Sequence, residues 1–215
     1  MRFRDRREAG RFLAGRLMAY AGKPDVLVLA LPRGGVPVAF EVARALHAPL
    51  DVFIVRKLGV PEHEELAFGA IASGGVRVLN EMVNVLDLSH DTIEAVITRE
   101  EQELERRERI YRGDRPAPDV RGHTIVLVDD GLATGSSMRA AVAALRQEGP
   151  RRIIIAVPVA APETCDALQD EADEIVCVQK PKSFYAVGFW YNDFSQTPDE
   201  EVHDLLEQAA AEPAV

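Results

Sequence analysis

The sequence predicts an α/β fold in which a mainly parallel, twisted sheet is flanked by helices. Short apolar runs of strand length alternate along the chain with segments whose apolar residues recur at helical spacing. The apolar runs are nearly continuous, which is typical of parallel strands buried on both faces. A chain of 215 residues, 47% of them hydrophobic, suffices for one such domain. We therefore expect a single domain over residues 1–215, with its core at about 22–178.

The individual elements follow from the same patterns. Helical spacing predicts helices at 5–21, 36–46, 91–112, 136–147 and 162–170, and a last one that begins at Thr197-Pro198. Apolar runs predict strands at 26–31, 52–55, 124–128, 152–159 and 174–178. Gly74-Gly75 is expected to form a two-residue hairpin turn between 70–73 and 76–79. Asp91 and Glu94 have capping-box spacing at the start of the long helix.

Composition and charge limit the cellular compartments and the classes of binding partner that fit this protein. The formal net charge of −10 disfavours a duplex nucleic-acid partner, because that partner is itself a polyanion. Cys165 and Cys177 lack the spacing of a metal site. No apolar run reaches the roughly 18 residues of a membrane-spanning helix, and the charged residues 1–8 do not resemble a secretion signal. The sequence therefore predicts a cytoplasmic protein with no nucleic-acid or membrane partner.

Segment 124–137 carries the most informative pattern of the chain. An apolar strand ends on Asp129 and Asp130, and a short loop of glycines and hydroxyl residues leads directly into a helix. Backbone amides at a helix start attract phosphate, and glycines let the backbone approach it closely. The two carboxylates suit sugar hydroxyls or a cation. The segment therefore predicts a ribose 5-phosphate site, and an ordinary strand–turn–helix with polar loop residues is the alternative.

Other phosphate-binding motifs do not fit this segment. A Walker A loop requires a Lys before its Ser or Thr, and Gly135-Ser136 has none. A dinucleotide fingerprint requires G-x-G-x-x-G, which Gly131 and Gly135 do not supply. A receiver domain of the response-regulator type requires an Asp at the end of a later strand, and the strand at 152–159 ends without one.

Residues 124–137 resemble the phosphoribosyl diphosphate (PRPP) signature of the type I phosphoribosyltransferases, which combines an apolar strand, two acids, a spacer and Thr-Gly. The resemblance implies that family's fold, with a mobile hairpin loop and a small hood. It also implies Mg²⁺ as cofactor, held indirectly by Asp129 and Asp130 through ribose hydroxyls or water. The implied ribose-phosphate ligands are Asp129, Asp130, Gly131, Leu132, Ala133, Thr134, Gly135 and Ser136.

A second loop of this kind follows the first strand. Arg33, Gly34 and Gly35 suit a diphosphate, although a tight turn is equally compatible with them. In the family this loop binds diphosphate and often contains a cis peptide bond. Arg56 and Lys57 end the next strand and are predicted as further diphosphate ligands, with solvated surface charges as the alternative. The resemblance implies catalytic roles for Arg33, Lys57, Asp129 and Asp130.

Two further segments correspond to the closing parts of the family's site. Residues 61–79 are expected to be the mobile loop that closes over the substrate and excludes water, with Glu65 as its candidate functional acid. Residues 180–196, together with the N-terminal segment, resemble the hood of purine-type members. Phe189, Tyr191 and Asp193 are the predicted base-binding residues, although aromatic residues commonly pack into a core.

The resemblance implies Mg²⁺-dependent transfer of the 5-phosphoribosyl group from PRPP to a nitrogenous base, with release of diphosphate. Ala133 stands where 6-oxopurine enzymes have an acid, so that class of base is disfavoured and the acceptor stays open. A non-catalytic PRPP or nucleotide sensor on the same fold is the main alternative. The helix predicted at 91–112 is a helical insertion, unusual for a minimal salvage enzyme. It suits an oligomer contact, an unfamiliar acceptor or a protein partner, and we expect a homodimer.

Overall fold

The computed structural model describes residues 1–61, 63–86 and 88–211. Its strands are β1 (Val26–Ala30), β2 (Leu50–Val52), β3 (Val55–Val60), β4 (His63–Ala72), β5 (Val76–Leu79), β6 (Thr124–Val128), β7 (Arg152–Val159) and β8 (Glu174–Gln179). Its α-helices are α1 (Arg6–Leu17), α2 (Gly35–Leu46), α3 (Met82–Val85), α4 (His90–Arg112), α5 (Ser136–Glu148), α6 (Pro162–Leu168) and α7 (Asp199–Ala211). In the described ranges, none of the helices combines the length and apolarity needed to cross a bilayer.

The central sheet confirms the predicted parallel α/β architecture. Its five strands lie in the order β2-β1-β6-β7-β8, and every neighbouring pair is parallel. β1 and β6 pair in register from Val26 opposite Thr124 to Ala30 opposite Val128. Because the two strands end at the same level, the loops that follow them emerge side by side at the carboxyl edge of the sheet.

Both faces of the central sheet are buried, which explains the continuous apolar runs. Along β1, Val28 and Ala30 join a core cluster with residues of α1, α2 and α7. Leu27 and Leu29 point the other way and join a second cluster with residues of α5 and α6. The strands therefore lie between two helical layers, and all five residues of β1 and of β6 are buried.

A second, antiparallel sheet of three strands contains β3, β4 and β5. The prediction of one strand at 52–55 is wrong, because the chain changes sheets within that segment. The amide of Phe53 still donates to the carbonyl oxygen of Ala30 at 2.9 Å. The amide of Ile54 then donates to Oγ of Ser73 at 3.0 Å. From Ile54 onward the backbone therefore bonds to the hairpin and no longer to the central sheet.

The β4–β5 hairpin is confirmed, but its two-residue turn is not. A three-residue 3-10 turn, Ser73–Gly75, joins the strands, and Gly74 and Gly75 have φ of 81° and 75°. The Ser73 amide donates to the Ile54 carbonyl at 2.9 Å and is therefore not available to extend the hairpin ladder. Closure of this segment over a substrate stays a prediction; Glu62 and the side chain of Glu65 lie outside the described residues.

The predicted long helix is confirmed as α4, with a different N-cap. Ser89 is the N-cap, and its Oγ accepts a hydrogen bond from the amide of Thr92 at 3.2 Å. The capping box assigned to Asp91 and Glu94 is therefore wrong, because the Ser89 hydroxyl already meets the first-turn amide. α4 packs against β3 and against α7, so it lies along the hairpin sheet and reaches the last helix.

The N-terminal segment pairs with the segment predicted to be a hood. Phe3 forms a parallel bridge with Tyr191, and its amide donates to the carbonyl oxygen of Trp190 at 2.8 Å. Residues 180–198 contain one regular turn, the 3-10 helix Val187–Trp190, and α7 begins after them at Asp199. The N-terminal segment thus pairs with residues next to the carboxyl edge of the sheet, where the Tyr191 hydroxyl contacts the Asp130 carbonyl oxygen.

Candidate active site

The loops that follow β1 and β6 are in direct contact. A Cβ atom on Gly34 would lie 2.8 Å from Cγ of Asp130, and one on Gly35 would lie 2.8 Å from the Val128 carbonyl oxygen. No side chain fits at either position, so these two glycines allow the first loop to approach the acid pair. The Pro32–Arg33 peptide in this loop is cis, as the resemblance implies.

The acid pair Asp129 and Asp130 is half-buried and held on several sides. The Asp130 amide donates to Oδ1 of Asp129 at 2.8 Å, and Nε of Arg6 donates to Oδ2 of Asp130 at 2.8 Å. The Tyr191 hydroxyl donates to the Asp130 carbonyl oxygen at 2.6 Å. The Asp130 amide and Arg6 therefore each hold one carboxylate in place, and Tyr191 holds the backbone of Asp130.

Burial governs the protonation of both acids. Burial, and then the charge of Asp130, raise the pKa of Asp129 well above its ordinary value. Burial also raises the pKa of Asp130, while the Arg6 guanidinium acts in the opposite direction. Two adjacent carboxylates away from water repel each other, so the site favours a hydrogen-bond donor or a cation as ligand.

The segment after the acids forms the predicted phosphate loop. Gly135 adopts a left-handed conformation, with φ of 72°, and α5 begins at the next residue. Two elements support the loop: the Thr164 hydroxyl of α6 donates to the Ala133 carbonyl oxygen, and Leu132 forms a parallel bridge with Ala160, which directly follows β7. The first-turn amides of α5 and the hydroxyl of Thr134 are therefore presented at a helix start, which suits a phosphate.

Two of the basic residues that are predicted to bind diphosphate, Arg33 and Arg56, each lie beside a different carboxylate. Nη1 of Arg33 is 3.6 Å from Oδ1 of Asp199 in α7. Nε and Nη2 of Arg56 lie 2.8 and 2.6 Å from Oε2 of Glu100, a buried residue of α4. Lys57, the next residue on β3, is exposed. The structure thus places Arg33 at the first loop, whereas Arg56 and Lys57 lie on the hairpin sheet beside α4.

The three predicted base-binding residues differ in exposure. Phe189 is 47% exposed, and the guanidinium of Arg2 lies 4.4 Å from its ring centroid. Asp193 is exposed. Tyr191 is buried, and its ring packs 5.6 Å from that of Phe3, so its position supports the acid pair and leaves no face free for stacking.

Two residues of this region were not predicted from the sequence. Arg6 pairs with Asp130 across 124 positions of sequence, and Glu100 pairs with Arg56 across 44. In the sequence both residues resemble the charged residues of any solvent-exposed helix surface, and no local pattern indicates partners so distant along the chain. Only the folded arrangement of α1 and α4 shows that they contact candidate site residues.

Comparison with known proteins identifies the family. The sequence model of the family described as "Phosphoribosyl transferase domain" matches residues 61–191, which include the acid pair, the phosphate loop and most of the hood. The chain belongs to the phosphoribosyltransferase family. The first loop, with Arg33, precedes the matched residues.

Named relatives agree with this assignment. The chain is 48% identical over 208 residues to MT0597 of Mycobacterium tuberculosis, provisionally named a phosphoribosyl transferase; the match covers 96% of this chain. It covers 47% of that relative, so the chain spans about half its length. A uracil phosphoribosyltransferase of Lactobacillus delbrueckii is 31% identical over 142 residues, 63% of this chain and 65% of the relative.

A solved structure supports the fold over nearly the whole chain. The protein TT1426 from Thermus thermophilus is 46% identical and superposes with a TM-score of 0.86, covering 97% of this chain and 99% of that one. The sheet order, the hairpin sheet and the long α4 therefore belong to an arrangement also found in a solved relative.

Proposed function

We propose that this protein transfers the 5-phosphoribosyl group from PRPP to a nitrogenous base in a Mg²⁺-dependent reaction that releases diphosphate. The observation that carries the proposal is the contact between Gly34 of the first loop and the carboxylate of Asp130. This contact joins a cation-bearing loop, an acid pair and a phosphate loop at one sheet edge. PRPP offers a matching set of groups, namely a diphosphate, ribose hydroxyls and a 5-phosphate.

The proposed reaction is a displacement at C1 of the ribose. A ring nitrogen of the base forms the new C1–N bond as the C1–O bond to diphosphate breaks. The electrons of the broken bond leave with the diphosphate oxygen, and the proton of the ring nitrogen is released to solvent. Positive charge develops on the sugar, so the residues act chiefly by positioning and charge stabilisation. Asp129 and Asp130 accept hydrogen bonds from the ribose hydroxyls, and the start of α5 binds the 5-phosphate. Arg33 and Lys57 neutralise the negative charge of the leaving diphosphate.

The acid pair supports Mg²⁺ as the cofactor. Hard carboxylate oxygens are suitable ligands. Burial, and then the charge of Asp130, raise the pKa of Asp129, and a bound cation would stabilise the two ionised carboxylates. Asp129 and Asp130 would hold the ion indirectly, through ribose hydroxyls or water. When bound, Mg²⁺ supplies charge neutralisation of the diphosphate.

Uracil is the first acceptor to test. The named relative with this substrate is 31% identical over 142 residues. Ala133 removes the acid that 6-oxopurine enzymes use at that position, so hypoxanthine and guanine are the less favoured acceptors. Phe189, exposed at the hood, is the available aromatic surface for stacking on the base, and exposed Asp193 is the proposed polar contact.

The experiment is an acceptor screen that follows diphosphate release. Purified protein is incubated with PRPP and Mg²⁺ together with single purine, pyrimidine or pyridine bases, and omission of the base is the control. Base-dependent release of diphosphate supports the proposal. Tight PRPP binding without release for any base contradicts it and favours the second candidate, a PRPP or nucleotide sensor. The fixed Arg6–Asp130 pair suits such a sensor, since a ligand can be read out through α1.

A further inference from the structure

A cleft of about 560 Å³ opens between the edge strand β3, the helix α4 and the start of α5. Its wall includes positively and negatively charged side chains, and the lining residues come from three elements that are distant in sequence. The lining residues with polar side chains are Arg56, Lys57, Arg99, Glu100, Glu103 and Ser137. The cleft therefore adjoins the phosphate loop, because Ser137 lies in the first turn of α5.

One buried carboxylate organises two of the arginines. Oε2 of Glu100 accepts from Nε and Nη2 of Arg56 at 2.8 and 2.6 Å, and Oε1 accepts from Nε of Arg99 at 3.0 Å. The Glu100 side chain is 7% exposed, whereas those of Arg56 and Arg99 are 28% and 58% exposed. Each oxygen thus anchors one guanidinium, and both guanidinium groups remain accessible.

The charge balance of the cleft favours an anion. The carboxylate of Glu103 is already engaged by Arg106 and Arg107, whose hydrogen bonds lower its pKa to about 2. Glu100 then carries a single negative charge opposite two arginines. Exposed Lys57 and the positive end of the α5 dipole at Ser137 add to the positive side.

We propose that α4 completes a diphosphate-binding site in this cleft, in which Arg99 is a direct ligand and Glu100 is a positioning residue that holds Arg56. The assignment rests on the proposed function. Arginine forks bind phosphate oxygens in pairs, and two forks plus a lysine match the charge of a diphosphate. The diphosphate is either that of PRPP or that of a separate diphosphate-bearing ligand, and α4 is in both cases part of the binding site.

The test is calorimetric titration of the full chain with magnesium diphosphate and, separately, with PRPP and Mg²⁺. The Arg99→Gln variant is compared with Arg109→Gln, which makes the same change at an exposed position of the same helix. Loss of one charge-assisted contact is worth about a tenfold to hundredfold affinity change. We expect that loss in Arg99→Gln, and wild-type affinity in Arg109→Gln.

The role of Glu100 is tested through its partner. Glu100→Gln is expected to weaken diphosphate binding in the wild-type background, and by a smaller factor when Arg56→Gln is already present, because Glu100 then holds Arg99 without Arg56. A merely structural role would give the same loss in both backgrounds. Thermal unfolding of each variant verifies folding, and Arg99→Gln, whose side chain is largely exposed, keeps the test valid if Glu100→Gln does not fold.

The outcomes separate the two sources of diphosphate. Weaker binding of both PRPP and magnesium diphosphate in Arg99→Gln assigns the cleft to PRPP. Weaker binding of magnesium diphosphate alone assigns it to a second ligand. Equal affinities of Arg99→Gln and Arg109→Gln for both probes overturn the inference, while the proposed function stands as long as the wild type binds PRPP. Failure of the wild type to bind PRPP contradicts the proposed function itself.

Discussion

Arg6 and Asp130 form a half-buried ion pair, in which Nε of Arg6 lies 2.8 Å from Oδ2 of Asp130. The same guanidinium donates from Nη1 to the Ser195 carbonyl oxygen at 2.6 Å and lies 4.0 Å from the ring centroid of Phe194. One side chain of α1 therefore joins the acid pair to the hood. This contact ties the N-terminal segment to the candidate active site.

The first prediction is that Arg6→Gln lowers the free energy of unfolding by about 1.5–3 kcal/mol, because it removes a charge-assisted hydrogen bond from a half-buried carboxylate. Urea unfolding measures this change. Arg16→Gln, an exposed position on the same helix, is the control and should change stability by less than about 0.5 kcal/mol. In an Asp130→Asn background the cost of Arg6→Gln should be smaller, because the contacts of Arg6 with Ser195 and Phe194 remain while the ion pair is gone; an equal cost in both backgrounds would show that the pair is not responsible.

The second prediction concerns the contact between the two loops. Gly34→Ala should destabilise the protein by about 1–3 kcal/mol, since its Cβ would meet the Asp130 carboxyl group, and should weaken PRPP binding. Gly15→Ala is the matched control, because a Cβ there meets nothing within 4 Å and the residue lies inside α1. That change should stabilise by about 0.5–1 kcal/mol. Thermal unfolding with and without PRPP measures both effects, and wild-type behaviour of Gly34→Ala would refute the packing argument.

The third prediction separates turnover from product binding. Lys57→Ala should lower the catalytic rate by about one to three orders of magnitude, because the leaving diphosphate gains negative charge as the C1 bond breaks. Binding of the nucleoside monophosphate product, which lacks diphosphate, should be unchanged. Lys23→Ala, an exposed lysine before β1, is the control. An unchanged rate in Lys57→Ala would remove this residue from the reaction.

The fourth prediction is a pH dependence located where α4 meets α7. Burial, together with a hydrogen bond to Asp199, raises the pKa of Tyr111 to about 12. A group with a raised pKa stabilises the folded state below its unfolded pKa of about 10, and this contribution is lost as pH rises toward 12. Tyr111→Phe should therefore be less stable than wild type at pH 8, by about 1.5–3 kcal/mol.

The difference between wild type and Tyr111→Phe should shrink between pH 10 and pH 12, as measured by urea unfolding across that range. Tyr185→Phe is the control, because Tyr185 is 78% exposed. A stability difference that stays constant across the range would contradict the assignment of the raised pKa to Tyr111.

The parts predicted well from the sequence are those fixed by local pattern. The continuous apolar runs at β1 and β6 required burial on both faces, and that requirement fixed a parallel sheet between helical layers. The loop after Asp130 required glycine and hydroxyl residues at a helix start, so its place at the sheet edge followed. These features depend on residues within about fifteen positions of one another, which a single sequence displays directly.

The parts predicted poorly depend on distant partners. The strand expected at 52–55 divides because Ser73 offers Ile54 a partner outside the central sheet. The contacts of Tyr191 were likewise not predicted: the Asp130 carbonyl oxygen accepts a hydrogen bond from its hydroxyl, and its ring packs against Phe3. Apolar periodicity does not encode which strand edge or which buried carbonyl a side chain will meet.

The acid pair and the phosphate loop are proposed to form a PRPP site, and calorimetry on the double variant Asp129→Asn with Asp130→Asn tests this assignment. Wild type and variant are titrated with PRPP and Mg²⁺ and with inorganic phosphate. PRPP affinity should fall at least about tenfold in the variant, since the ribose hydroxyls lose charged acceptors. Phosphate affinity should stay unchanged, because the loop and the start of α5 bind that group. Unchanged PRPP affinity, or an equal loss of both ligands in a folded variant, would contradict the claim.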